Sequence, residues 1–290
     1  MINEKNYKEY IVSISDKRIT TLPTATVVVV LYNIGVEIFE LMNSLNEQSL
    51  TSFEIVIINN GKVDEKVVER IKAESFLYIE SSSNSVSLGR NIGTAYARGD
   101  IVIFLDDDCI PHKDLVRSHV LSYHEPSVLG VQGKSLPRHF PFYCHFQSHY
   151  DLGNTIKPIV VIGLEGNVSL RKSVLTEVGG FDPVLFGAEG LELSYRIAQK
   201  YQKPQRLIYN PEAIIYHDFA QGLFDYLEKC YRHIKMKEKL NQQYPNITTF
   251  AKEYSQYSMP KDTLSSFYKR VAIKLVGLLG KTAQELAKYF

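Results

Sequence analysis

Apolar runs and polar, turn-forming stretches alternate along this chain in a regular order between residues 24 and 106. Thr26–Leu31 (TVVVVL), Phe53–Ile58, Phe76–Ile79 and Ile101–Leu105 are short and rich in β-branched or aromatic side chains. That is the pattern of strands buried on both faces. Between them, Val36–Gln48 carries apolar residues at helical spacing (Val36, Phe39, Leu41, Leu45), and Asp64–Ala73 reads as a short charged helix. Ser85 or Ser87 can cap a third helix that runs to Ala97, with Gly99 as its stop. Strands and helices in this order predict a parallel sheet with right-handed crossovers and helices on both faces. The strand ends Tyr32-Asn33, Asn59-Asn60 and Asp106-Asp107-Asp108 then share one edge of the sheet. After a helix predicted from about His112 to Tyr123 the order loosens. Val128–Gly133 suits a strand, the neighbourhood of Ser173–Val178 and the stretch from Gly187 to about Lys200 suit helices, and Ala213–Tyr216 suits a last strand ending at His217. From Gly222 onward the pattern is helical, over Leu223–Leu240 and over Lys261–Phe290, where apolar residues recur at 264, 267, 271, 275, 278 and 286.

The organisation expected from this is a polar lead-in (1–23) without an assigned role, an α/β domain over 24–222, and a helical region over 223–290. Within the domain, 24–135 is expected to form one half and 136–222 the other. Composition changes this picture little. The chain has 290 residues and a formal net charge of +1, which argues against a nucleic-acid partner. Cys109, Cys144 and Cys230 stand far apart and match neither a disulfide framework nor a zinc spacing, so a reducing, cytoplasmic compartment is expected. Met1–Tyr10 is too polar for a signal peptide, and no apolar run reaches the ~20 residues that cross a bilayer. Lys261–Phe290 holds six basic residues against two acidic ones. Such an amphipathic helix can lie peripherally on the anionic inner face of a membrane, or pack on the domain with its charges in water.

The candidate chemistry begins where the fourth strand ends in Asp106, Asp107 and Asp108. Two unit charges ~4 Å apart repel by ~4 kcal/mol at an effective dielectric of ~20. A divalent cation relieves that repulsion, and hard oxygen donors suit Mg²⁺ or Mn²⁺. Ligands of open α/β sheets bind beyond the carboxyl ends of the strands, which is where these residues stand. Residues 137–150 (PRHFPFYCHFQSHY) fit either a core loop with surface histidines or an aromatic substrate wall. Glu189 and Glu192, three apart at the start of a predicted helix, share a face near its positive end.

In order and spacing these segments resemble the family 2 glycosyltransferases of the GT-A fold. The first strand with Tyr32-Asn33 is similar to that family's opening strand, and Asn59-Asn60-Gly61 stands where the family has Asp-Asp-Gly. Gly89-Arg90-Asn91 with Gly93 resembles its small-Arg-Asn-x-Gly segment, and Asp106-Asp107-Asp108 its DxD. Gly166-Asn167 and Gly179-Gly180-Phe181-Asp182 resemble the segments that precede the catalytic helix. The resemblance spans roughly residues 24–217. It implies a metal-dependent glycosyltransferase that moves a sugar from a nucleotide-sugar, a UDP-sugar being favoured, to a hydroxyl of a glycan, a lipid-linked or another acceptor in polysaccharide or glycoconjugate synthesis.

The implied roles are Mn²⁺ or Mg²⁺ held by Asp106, Asp108 and His217, and donor binding by Tyr32, Asn59, Asn60, Arg90, Asp106 and Asp107. One departure matters. Where the family carries a Glu-Asp pair this chain reads Glu189-Gly190, and glycine takes no proton. The role of general base passes to Glu189 or Glu192, or is absent. Inversion at the sugar carbon is the expected outcome, although one retaining branch, the polypeptide N-acetylgalactosaminyltransferases, reads Glu-Asn-Leu-Glu at the corresponding place. The alternative is a GT-A-like nucleotide- or glycan-binding protein that has lost its base at Gly190. A sugar nucleotidyltransferase would need a Gly-rich, Arg-containing loop where Tyr32-Asn33-Ile34-Gly35-Val36 stands. An Asp-x-Asp phosphatase would carry its acidic pair after the first strand.

Overall fold

The computed structural model describes residues 2–147, 149–254 and 267–286. A 3-10 turn (Glu4–Tyr10) leads into β1 (Ile11–Asp16), followed by β2 (Ala25–Leu31), α1 (Ile38–Asn46), β3 (Phe53–Asn59), α2 (Glu65–Ala73), β4 (Leu77–Ser81), α3 (Val86–Tyr96) and β5 (Ile101–Asp106). The chain continues through β6 (Ile110–Pro111), α4 (Leu115–Leu121), β7 (Val128–Leu136), α5 (Pro141–Cys144), β8 (Lys157–Ile159), β9 (Asn167–Arg171), α6 (Lys172–Val178) and α7 (Glu189–Lys200). Then come β10 (Arg206–Tyr216), α8 (Leu223–Gln243), α9 (Ile247–Tyr254) and α10 (Phe267–Leu286).

These strands form one sheet in the order β1-β4-β3-β2-β5-β9-β7-β10-β6, with β8 paired to β10. The four expected strands β4, β3, β2 and β5 run parallel. Alternate residues of β2 feed opposite faces, Val28 and Val30 against α3 (Leu88, Ile92), and Val27, Val29 and Leu31 against α1 (Ile38, Leu41, Leu45). A strand with an apolar layer on each side has no polar face, which is why TVVVVL lacks alternation. The expected α/β architecture, with helices on both faces, is the one observed.

Several elements went unread in the sequence. The lead-in supplies β1, antiparallel to β4 at the sheet edge, and its Val12 and Ile14 point outward. β9 runs antiparallel between β5 and β7 and begins inside the Gly166-Asn167 segment. β10 begins at Arg206 rather than Ala213, its apolar pattern broken by Asn210-Pro211-Glu212 where its register with β7 shifts. The helix expected from His112 starts only at Leu115, because β6 draws the chain onto β10 and the His112 N–H donates to the Ile214 carbonyl (2.9 Å).

The expected C-terminal amphipathic helix is present as α10, and the flanks 261–266 and 287–290 lie outside the described residues. It packs on α8, with Gly280 close to the Tyr226 ring and Val276 joining the cluster of Tyr150, Phe219 and Tyr226. Leu275, Leu278 and Leu279 remain exposed. No helix among the described residues is long and apolar enough to cross a membrane.

Buried Glu54 on β3 ties the lead-in to the parallel core. It accepts from Thr26 Oγ1 (2.8 Å), from the Arg98 backbone N–H (2.6 Å) and Nε (2.6 Å), and from Arg18 Nη1 (3.1 Å). Removing one partner of a buried ion pair leaves the other charge uncompensated. Glu54→Ala is expected to destabilise the fold by about 3 kcal/mol, read as a lower urea midpoint at unchanged slope.

Candidate active site

Three separate pieces of chain bring the acidic cluster and its counter-charges together. β5 ends at Asp106, and Asp107 and Asp108 follow in the turn before β6. β6 pairs with the end of β10, Tyr216 opposite Ile110, which seats His217 beside the turn. His217 Nε2 lies 3.2 Å from Asp108 Oδ1, and one ligand atom from each of Asp106, Asp108 and His217 falls within 4.8 Å of the others. Two carboxylate oxygens and an imidazole nitrogen make a mixed donor set that suits Mn²⁺ and accepts Mg²⁺ less well. The residues present therefore fit a divalent cation.

Gly166 makes room for this cluster. A Cβ at that position would stand 1.9 Å from Asp106 Oδ2, so only glycine lets β9 start against the carboxylate. Burial raises the pKa of Asp106, opposed by the charges of His217 and Arg90. Burial, with the negative charges of Asp108 and Asp106, pushes Asp107 up to about 7, although its Oδ2 accepts the Tyr32 backbone N–H at 2.9 Å. Burial also acts upward on Asp108, but the hydrogen bond and charge of His217 outweigh it and hold Asp108 below the usual carboxylate value.

The expected donor-binding residues separate into two groups. Tyr32, Arg90, Asp106 and Asp107 line one cavity of about 400 Å³ together with Asp108 and His217. Arg90 reaches Asp106 Oδ1 at 3.5 Å and rests over the Phe181 ring at 5.4 Å. Asn59 and Asn60 are buried at the end of β3 and do not line that cavity. Asn59 is occupied at both ends, donating to Tyr78 Oη (3.0 Å) and accepting from the Gly61 N–H (3.1 Å). Asn60 donates to the Ser85 carbonyl (2.6 Å), and its Oδ1 is buried without a hydrogen-bond partner.

Of the two glutamates singled out on α7, Glu189 lines the cavity and Glu192 does not. Glu192 is held by Arg196, whose Nε and Nη2 donate to its two oxygens at 2.5 and 2.6 Å, and Tyr244 Oη donates to Oε1 at 3.1 Å. Both stand in the first turn of α7, but Arg196 one turn on and Tyr244 hold Glu192 away from the cavity that Glu189 lines. The turn opens on Gly187 and Ala188, both at positive φ (114° and 63°), and a non-glycine there is strained.

The cavity also contains residues that sequence reasoning passed over. Glu165 is partly buried, and its desolvation followed by the Glu189 charge raises its pKa to about 7, with Arg90 opposing. Lys229, Arg232 and His233 arrive from α8. Arg232 stacks over Phe186 at 4.5 Å, and its Nε is buried without a hydrogen-bond partner. The aromatic stretch 137–150 divides between the cavity and the core. His149 and Tyr150 line the cavity, whereas Tyr143 and Phe146 pack on Tyr226. A lone Glu before Gly-Asn and a basic face of a C-terminal helix were the available signals, and neither carries a motif.

A doubly wound parallel core, extended by mixed strands and carrying a carboxylate cluster at its switch-point edge, defines the GT-A class of nucleotide-sugar folds. The model of "Glycosyl transferase family 2" matches residues 26–178, more than half of the chain, and the protein belongs to that family. The chain is similar to the uncharacterized glycosyltransferase YfnE of Bacillus subtilis (32% identical over 41% of this chain and 32% of that protein). It is also similar to the O-antigen chain rhamnosyltransferase RfbN of Salmonella typhimurium (24% identical, 66% of this chain and 65% of that protein). A further relative is the pre-mycofactocin glycosyltransferase of Mycobacterium tuberculosis, 24% identical over 62% of this chain and 41% of that protein. The matches thus span about a third to two thirds of the curated relatives' lengths. Among solved structures, the mannosyltransferase PcManGT from Pyrobaculum calidifontis in complex with GDP-Man and Mn²⁺ shares the fold, with a TM-score of 0.61 at 19% identity over 97% of this chain and 79% of that one.

The Gly166 contact yields a direct test. Gly166→Ala should push the Asp106 carboxylate out of the cluster and weaken Mn²⁺ binding at least tenfold in calorimetry. An unchanged affinity would remove Asp106 from the ligand set.

Proposed function

We propose that this protein transfers a sugar from a nucleotide-sugar donor to a hydroxyl acceptor, with a divalent cation at Asp106, Asp108 and His217. The observation that carries this reading is the convergence of those three side chains, from β5, the following turn and the end of β10, on one wall of the cavity. A bound Mn²⁺ or Mg²⁺ would supply positive charge to offset the diphosphate as it leaves. The chain's own residues divide the remaining work. Half-exposed Tyr32 offers a ring face to the base. A UDP-sugar is the favoured donor, and GDP-mannose the second because the structural neighbour holds it.

Arg90 adds a fixed positive charge beside the carboxylates, and Lys229 and Arg232 add two more from α8, where a diphosphate would need them. Glu189 lines the cavity together with Tyr150, His149 and Phe219, and an acceptor hydroxyl approaching there from the side away from the leaving group would give inversion. The acceptor class is a glycan, a lipid-linked sugar or another hydroxyl compound, in polysaccharide or glycoconjugate synthesis.

Exposed Leu275, Leu278 and Leu279 beside Lys274 and Lys281 support a peripheral contact with an anionic membrane surface on its cytoplasmic side.

Asp108→Ala should lower donor turnover at least a hundredfold and abolish the gain in UDP or GDP affinity on adding Mn²⁺. Retention of both would overturn the metal assignment. For the membrane contact, Leu275→Glu combined with Leu278→Glu should cut binding to phosphatidylglycerol vesicles at least a hundredfold in a sedimentation assay, since each buried apolar side chain contributes ~1.5–3 kcal/mol and every ~1.4 kcal/mol is tenfold. Equal binding by the variant would exclude α10 as the contact.

A further inference from the structure

We propose that Glu165 accepts the proton of the acceptor hydroxyl, standing in for the side chain that is missing at Gly190. This rests on the glycosyltransferase reading above and adds the identity of its base. The glycine at 190 is a steric consequence of its neighbours. A Cβ there would lie 2.7 Å from Glu165 Oε1 and 2.5 Å from the Ile162 carbonyl oxygen. The space beside the first turn of α7 is thus filled by the Glu165 carboxyl, which reaches it from the loop ahead of β9. The Gly190 N–H donates to Glu165 Oε1 at 2.6 Å, fixing the carboxyl against the positive end of the helix. Glu165 lines the same cavity as Glu189 and the metal-ligating cluster, while Glu192 is withdrawn into its pairing with Arg196.

The electrostatics agree with this geometry. Burial and the negative charge of Glu189 make Glu165 a stronger base than an exposed carboxylate, with Arg90 opposing. A general base works best when its pKa lies near the working pH. In the step itself, the acceptor oxygen bonds to the anomeric carbon as its proton passes to Glu165. The bond from that carbon to the phosphate oxygen breaks, and its electron pair leaves with the nucleoside diphosphate. The loss of Asp at 190 therefore does not by itself imply a loss of catalysis.

The test uses the full chain with Mn²⁺, a panel of UDP-glucose, UDP-N-acetylglucosamine and GDP-mannose, and water and 4-nitrophenyl glycosides as acceptors. Glu165→Gln keeps the shape and removes the base. Its kcat should fall by ~10²–10⁴ while its affinity for the nucleoside diphosphate with Mn²⁺ stays within about threefold. In Glu165→Ala, added formate should restore part of the turnover by occupying the vacated place. A Gln variant that retains kcat within tenfold overturns the assignment to Glu165 and leaves the glycosyltransferase reading standing. If the Gln variant loses nucleotide affinity or folding along with kcat, the Ala variant decides, and absence of formate rescue overturns the assignment. Wild-type protein that consumes none of the donors removes the glycosyltransferase reading and this inference with it.

Discussion

At the end of β5 the backbone turns within three residues and leaves Asp106, Asp107 and Asp108 too close to be ionised side by side without compensation. Each carboxylate is answered differently. Asp108 faces His217, Asp107 holds the Tyr32 backbone N–H, and Asp106 sits between Arg90 and Gly166. Burial raises the cost of every uncompensated charge here. The cluster's ligand atoms, with His217, lie close enough together to fit the divalent cation proposed above.

Much of the resemblance that pointed to the family belongs to the scaffold that holds this cluster in place. Asn91 donates to the Phe181 carbonyl and accepts its N–H, both at 2.8 Å, which clamps α3 to the loop after α6. Phe181 then packs edge-on against Phe104 at 5.2 Å and supports Arg90. Asn167 donates to the Lys134 and Ala213 carbonyls where β7 and β10 lose register, and its Oδ1 accepts from Nε2 of buried His119. Burial lowers the His119 pKa to about 4, so the ring stays neutral inside this network. These asparagines satisfy backbone groups that irregular pairing would otherwise strand, and in doing so they fix where β10 delivers His217.

The parallel core was legible in the sequence because its strands are buried on both faces and its helices on one. Residues such as Val27–Leu31 and Leu41–Leu45 announce their environment through local period alone. Ser85 was legible as a cap, and its Oγ accepts the Leu88 N–H as that motif requires. β9 and the first half of β10 were not legible. β9 is five residues long with Asn and Ser buried among its apolar positions, stabilised by partners far along the chain. β1 escaped notice because an edge strand with Val12 and Ile14 turned outward has no inward period to read.

For the site, the sequence by itself determined which atoms are available: three consecutive carboxylates after a buried strand, a histidine at the end of a later one, and a glycine at 190 beside Glu189. Tertiary structure alone decided which of them meet. Pairing of β6 with β10 joins His217 to Asp108 across more than a hundred residues of chain. The pitch of α7 turns Glu189 toward the cavity and Glu192 into Arg196, and the loop before β9 inserts Glu165 against Gly190. Local sequence encodes a period and a cap because those depend on neighbours within a few residues. Convergence depends on strand register and on which side chain wins a shared space, and both are set only when distant segments pack.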